Sequence, residues 1–205
     1  TVLVINGKIA AVGSAVKIPN GTVIVNAKGM HVYPGLIDAG SHLGLAEIGS
    51  IAVTNDFREL GSFQPDLRAL SAVHPSSEHF AISRVAGITT TQTYPEGNMV
   101  SGQSAAIHLD GWTSEQMLIK DTLALHLVFP EPPSDDTLES YKQFLSPDEI
   151  QNIVKQSTSQ KDKITEAFDK STQYRDLRKR SPETPIDLQQ EAMIPYLNGT
   201  KPVVI

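Results

Sequence analysis

The sequence predicts an α/β protein: a small β-sheet segment, then alternating strands and helices, then a long polar helix. Three observations lead to this class. Short apolar runs broken by Asn-Gly, Gly and Pro fill residues 1–34. From Leu36 to about Pro130, β-branched runs alternate with capped helical stretches. After Glu131-Pro132-Pro133-Ser134, apolar residues recur at helical spacing within a polar background.

The elements follow in order. Val2 to Gly13 reads as a hairpin, two apolar runs joined by the turn dipeptide Asn6-Gly7, and residues 22–25 read as a further strand. Leu36 to His42 is an apolar strand that ends on a histidine, followed by a loop over residues 43–75 with a short turn at 65–70. Ser76 or Ser77 caps a helix that runs through Val85, and Gly87 stops it. Residues 88–95 form a second strand, because Ile88-Thr89-Thr90-Thr91 is strongly β-branched. A Gly-rich loop is expected over 96–107, then a strand bearing a solvent-facing His108, and a short helix from Ser114 to Ile119 capped by Thr113. Trp112 is expected to anchor its turn onto a core, and His126 to sit in a strand. Ser146-Pro147-Asp148-Glu149 is a capping box with proline at the first helical position, and it opens one helix reaching about Arg180. Ser181-Pro182 ends that helix, Thr184 to Asp187 starts a shorter one stopped by Gly199, and Pro202 to Ile205 begins a buried strand.

Composition narrows the function classes. The chain has 40% hydrophobic and 20% charged residues and a net charge of −6, which suits a globular protein and argues against a nucleic-acid partner. The basic run Arg175 to Arg180 falls at a helix C-terminus, where cations meet the helix dipole favourably. There is no cysteine, so a metal site has to use His, Asp, Glu or a modified Lys. No apolar run reaches the roughly 20 residues that cross a bilayer, so no membrane partner is expected. A start at Thr1 leads us to expect that a leader or upstream segment has been removed, which leaves cytoplasmic, periplasmic and secreted locations open. Asn20-Gly21-Thr22 and Asn198-Gly199-Thr200 fit the glycosylation pattern, but Asn-Gly reads first as a turn.

The run Pro34-Gly35-Leu36-Ile37-Asp38-Ala39-Gly40-Ser41-His42 resembles the first barrel strand of the amidohydrolase superfamily, whose pattern is Pro-Gly, then Leu-Ile-Asp-x-His-x-His. Gly40 stands where that pattern has its first histidine. Residues 2–13 resemble the superfamily's opening hairpin, and residues 22–29 the strand that leads into Pro-Gly. Gly87-Ile88-Thr89-Thr90 resembles its next strand, and Ser101-Gly102-Gln103-Ser104 resembles a loop of imidazolonepropionase-like members.

The resemblance implies a partial (β/α)8 TIM-type barrel preceded by a small β-sandwich domain. The β-sheet segment would occupy residues 1–34 as part of a composite sandwich. Residues 35–205 would form the first part of the barrel, with a helical insertion around 134–182. A complete barrel needs about 250 residues, so the rest of it is expected in a continuation of the polypeptide or in a second chain. The implied chemistry is hydrolysis of a C–N bond in a small cyclic amide or amide-like substrate, by water activated on a divalent metal such as zinc. Metal ligands would be His42 and, as a substitute or supporting carboxylate, Asp38; Gln103 is the candidate for substrate binding, and no catalytic residue is assigned. Gly40 removes one ligand, so a non-catalytic homologue kept for binding or assembly stands as the alternative. The remaining histidines, His31, His74, His79, His108 and His126, read as structural. Self-association into a homo-oligomer is left open.

Overall fold

The computed structural model describes residues 1–97 and 99–205, which divide into two units, Thr1–Pro34 and Gly35–Ile205. The first holds an antiparallel hairpin of β1 (Val2–Ile5) and β2 (Lys8–Val12). Its turn places Asn6 at φ 52° and Gly7 at φ 72°, the paired positive angles of a type I′ turn that Asn and Gly tolerate best. Residues 22–25 are exposed and form no strand, so the described part of this unit is one two-stranded sheet and not a sandwich.

The second unit begins with β3 (Leu36–Ser41). After a long irregular segment come α1 (Glu78–Val85) and β4 (Ile88–Thr93), which pairs with β3 in parallel. Ser77 is the residue that caps α1, accepting from the His79 N–H. Then follow β5 (Val100–Gln103), β6 (Ala105–His108), α2 (Ser114–Met117) capped by Thr113, β7 (Leu118–Lys120) and β8 (Leu125–Leu127). The helical region holds α3 (Asp135–Tyr141) and the 34-residue α4 (Pro147–Arg180), whose Ser146–Glu149 capping box is complete. The chain closes with α5 (Leu188–Leu197), capped by Asp187, and β9 (Val203–Val204).

These strands do not make a barrel. They form two open sheets, of order β3-β4-β6-β7 and β5-β8-β9. Only β3–β4 and β8–β9 are parallel, whereas β4–β6, β6–β7 and β5–β8 are antiparallel. A partial (β/α)8 barrel would have parallel neighbours throughout. The departure comes from the segment expected to be a Gly-rich loop. Val100, Ala105 and Ile107 are all buried, and burying them turns the segment into two strands that run back antiparallel to their neighbours. Trp112, expected to anchor a turn, is 91% exposed.

Two apolar clusters hold this unit together. One joins Leu45, Leu70, Val73 and Phe80 to Ala105, Ile107, Leu109 and Met117; the other joins Met99, Val100, Leu125 and Leu127 to Ile164 of α4 and Met193 and Tyr196 of α5. Between the helices, the Ser171 hydroxyl donates to Gln190 Oε1 at 2.7 Å, and Arg178 and Tyr174 both bind Glu191. Among the described residues no helix is long and apolar enough to cross a membrane.

Leu125 has no exposed surface and lies between β5 and β9. Leu125→Ala is expected to lower unfolding stability by about 2–5 kcal/mol in urea titrations, while Val85→Ala, at a position 91% exposed, shifts it by about 0.5 kcal/mol or less. Equal effects would contradict the assigned core.

Candidate functional site

The site lies where β3 and β4 end side by side. Parallel pairing brings Ser41 next to Thr93, and the Tyr94 N–H donates to the Ser41 carbonyl at 3.1 Å, one step beyond the sheet. The two chains therefore leave the sheet together, one carrying His42 and the other Tyr94 and Glu96.

His42 is held on every side. Its Nδ1 lies 2.8 Å from the Tyr94 carbonyl oxygen and its Nε2 lies 3.1 Å from Glu96 Oε2. The imidazole stacks on Phe57 at 4.4 Å and leans on Tyr94 at 4.6 Å. The other Glu96 oxygen, Oε1, accepts from Arg58 at 2.8 Å, and the Glu96 N–H donates to the Phe57 carbonyl at 2.7 Å, which fixes the backbone beneath the carboxylate.

On its far side Tyr94 stacks on His126, with ring centres 4.4 Å apart and planes 4° from parallel. His126 is 8% exposed, and burial, with the charge of His42 adding to it, pushes its pKa down to about 4. The ring is therefore neutral at pH 7. Gln92 Nε2 is 3.2 Å from His126 Nε2, and an amide nitrogen can only donate, so the imidazole proton sits on Nδ1. Among the described residues that Nδ1–H has no protein partner.

Gly40, Gln92, Tyr94, Glu96, Ser101 and His126 face a cavity of about 450 Å³, with Leu127 and Val128 on its apolar side. That volume is in the range of pockets for small molecules, about 300–1,000 Å³. A Cβ added at Gly40 would stand 3.2 Å from Tyr94 Cε1, so the tyrosine ring already fills the space into which a side chain at position 40 would grow.

Asp38 and Gln103 are placed differently. Asp38 accepts from the Ser41 hydroxyl at 2.5 Å and the Thr91 hydroxyl at 2.7 Å on one oxygen, and from the Gly40 N–H at 3.2 Å on the other. Partial burial works to raise its pKa, but these three bonds outweigh that and hold the carboxyl below its usual range. Its oxygens are thus spent on fastening β3 to β4. Gln103 is 6% exposed, donating to the Pro65 carbonyl at 2.8 Å and accepting from the Tyr196 hydroxyl at 2.9 Å. Burial pushes the Tyr196 pKa up to about 12, so that hydroxyl keeps its proton. Gln103 does not border the cavity; Ser101 of the same segment does.

The structure also brings in residues that the sequence reading passed over or read as structural: Phe57, Tyr94, Glu96 and His126. Tyr94 and Glu96 stand two apart just past a strand that pairs with the His42 strand, a spacing that could have signalled them. His79 and His74 lie away from the cavity beside Glu47, and His108 is exposed.

The divalent ion that the family resemblance implies can be tested against these donors. Among the described residues no three His, Asp or Glu side chains converge as an ion site. His42 and Glu96 face each other, but as a pair: Nε2 contacts Glu96 Oε2 and Arg58 holds Glu96 Oε1, so the residues here do not fit such an ion.

No protein-family model matches the chain, and neither does any curated protein. It is similar to a solved structure of an amidohydrolase from Thermotoga maritima, with a TM-score of 0.80 and 26% identity, over 98% of this chain and 52% of that one. The chain thus spans about half the length of that structure. Its fold is amidohydrolase-like.

The shifted pKa of His126 has a thermodynamic consequence. Between pH 6.5 and about 4 the unfolded chain binds a proton at this residue that the folded chain refuses, so stability is present above pH 6.5 and is lost as pH falls toward 4. The loss is on the order of 1–3 kcal/mol. His126→Gln is expected to flatten that part of the stability profile in denaturant titrations at stepped pH; an unchanged slope would contradict the assignment.

Proposed function

We propose that the chain carries the substrate pocket of an amidohydrolase-type hydrolase, one that cuts a C–N bond other than a peptide bond in a small molecule. The likeness to the Thermotoga maritima amidohydrolase supports the reaction class. The observation that carries the reading is the convergence of Glu96 and the neutral His126 on one cavity.

Hydrolysis of an amide requires a group that takes a proton from water and passes it to the departing nitrogen as the C–N bond breaks, and a donor for the carbonyl oxygen as it gains charge. Glu96 is placed for the first task, because Arg58 and His42 hold its carboxylate at the cavity edge. His126 is placed for the second, since its ring is neutral and its Nδ1–H is free of protein partners among the described residues. Gln92 keeps that tautomer, and Tyr94 keeps the ring plane. Leu127 and Val128 give one wall an apolar character. Cyclic amides suit the pocket as planar, neutral molecules with carbonyl acceptors.

A second reading, a homologue that binds a small molecule without turning it over, is favoured by Gly40 and by the Tyr94 ring packed against it. Ring opening of hydantoin and dihydrouracil, followed as new carboxylate, tests the two. The hydrolase reading expects turnover that falls about 10²–10⁴-fold in Glu96→Gln. Calorimetric binding of these compounds without turnover would establish the second reading instead.

A further inference from the structure

We infer that Ser104, acting through Gln92, is what places the proton of His126 on Nδ1 and so decides what the cavity holds: a ligand that offers an acceptor there, not a donor. The inference rests on the hydrolase reading for the kind of ligand. The place of the proton follows from the protein alone.

Ser104 joins β5 to β6 and has no exposed surface. Its backbone is tied to the segment before β8 in both directions: its N–H donates to the Ala124 carbonyl at 2.9 Å, and its carbonyl accepts from the Leu123 N–H at 2.7 Å. The side chain repeats the pattern. Its hydroxyl donates to the Ala124 carbonyl at 3.3 Å and accepts from the Ala124 N–H at 3.2 Å. A serine hydroxyl has one proton and two lone pairs. With the proton and one lone pair engaged by Ala124, a single lone pair remains, and only a donor can use it.

Gln92 supplies that donor. Its Nε2 lies 3.0 Å from Ser104 Oγ and 3.2 Å from His126 Nε2, and the two hydrogens of one amide nitrogen serve both. Ser104 thus settles which end of the amide faces the ring. Turned over, the amide would set its oxygen against the Ser104 lone pair with no hydrogen between them. His126 Nε2 therefore accepts, and the one hydrogen of the neutral ring is left on Nδ1. Gln92 is itself held in place, since Thr91 and Thr93 on either side are buried and β4 pairs with β6 through Gln92 and Ala106.

Ala124 stands two residues before His126, so the segment that anchors the hydroxyl also carries the ring. The contact joins the two sheets, with Gln92 in the one of order β3-β4-β6-β7 and His126 in the one of order β5-β8-β9. A purely structural bridge would use both ring nitrogens. Here Nδ1–H has no protein partner among the described residues, although the ring is 8% exposed and an unmet donor at such a site is costly. His126 and Gln92 both border the cavity, where an acceptor on a bound molecule can take that bond.

The test is nitrogen-15 NMR of the histidine side chains at pH 7, with His126 assigned from a His126→Gln sample. The parent protein is expected to carry the His126 proton on Nδ1. N-methylpyrrolidinone, a ring with a carbonyl and no N–H, is expected to shift that nitrogen, and pyrrole, a ring that donates, to leave it in place. Ser104→Ala frees the Gln92 amide to turn and is expected to give a mixture of the two tautomers. Gln92→Glu keeps the shape but exchanges the donor for an acceptor, and is expected to put a proton on Nε2. Far-ultraviolet circular dichroism confirms folding, and Gln92→Leu, which removes the donor without adding charge, is a second route to the mixture. A proton on Nε2 in the parent, an unchanged Nδ1 tautomer in Ser104→Ala or Gln92→Glu, or an Nδ1 that responds no more to N-methylpyrrolidinone than to pyrrole overturns the inference. Hydantoin turnover on the same samples separates this outcome from failure of the hydrolase reading. Turnover by a parent with its proton on Nε2 sinks the relay alone; a locked Nδ1–H that answers to N-methylpyrrolidinone, without turnover, sinks the hydrolase reading and supports the relay.

Discussion

The pairing of β3 with β4 in parallel is the constraint on which the rest of the site depends. Neighbouring parallel strands end at the same edge of their sheet, so the residues just beyond them meet without any further long-range instruction. The Tyr94 N–H to Ser41 carbonyl bond extends this pairing one step, and the next residues along are His42 on one side and Glu96 on the other. Asp38 secures the same edge from within through Ser41 and Thr91. A carboxylate that a sequence argument offers as a metal ligand thus acts here as a clasp between strands, and a residue three beyond the second strand faces the histidine.

The electrostatics divide along the same line. On one side of Tyr94, His42 lies between a carbonyl and a carboxylate. On the other, His126 is buried against the same ring and is held neutral down to about pH 4. Two histidines separated by one aromatic ring therefore have different chemical characters, set by environment and not by residue type.

Local signals were legible in the sequence. The Asn6-Gly7 turn, the caps Ser77, Thr113 and Ser146, and the strands starting at Leu36 and Ile88 each depend on neighbours within four residues, whereas the start signal opening at Thr184 gives way to a cap at Asp187. Topology was not legible. The segment from Val100 to His108 has glycine and serine at loop frequency, yet its buried Val100, Ala105 and Ile107 pack against residues distant in sequence, and that packing decides in favour of strands. His126 illustrates the limit at a single position. The sequence reads it as a structural strand residue, whereas all three residues of β8 are buried and the ring itself borders the cavity. Glu96 was missed for a related reason: its partner is 54 residues away in sequence.

The central claim is that the Tyr94 carbonyl fixes the proton of His42 on Nδ1 and turns Nε2 toward Glu96. Nitrogen-15 NMR of the histidine side chains, assigned with a His42→Gln sample, reads this directly. The account predicts the proton of the His42 ring on Nδ1, bonded to the Tyr94 carbonyl. A neutral His42 ring carrying its proton on Nε2, with Nδ1 bare, would contradict it.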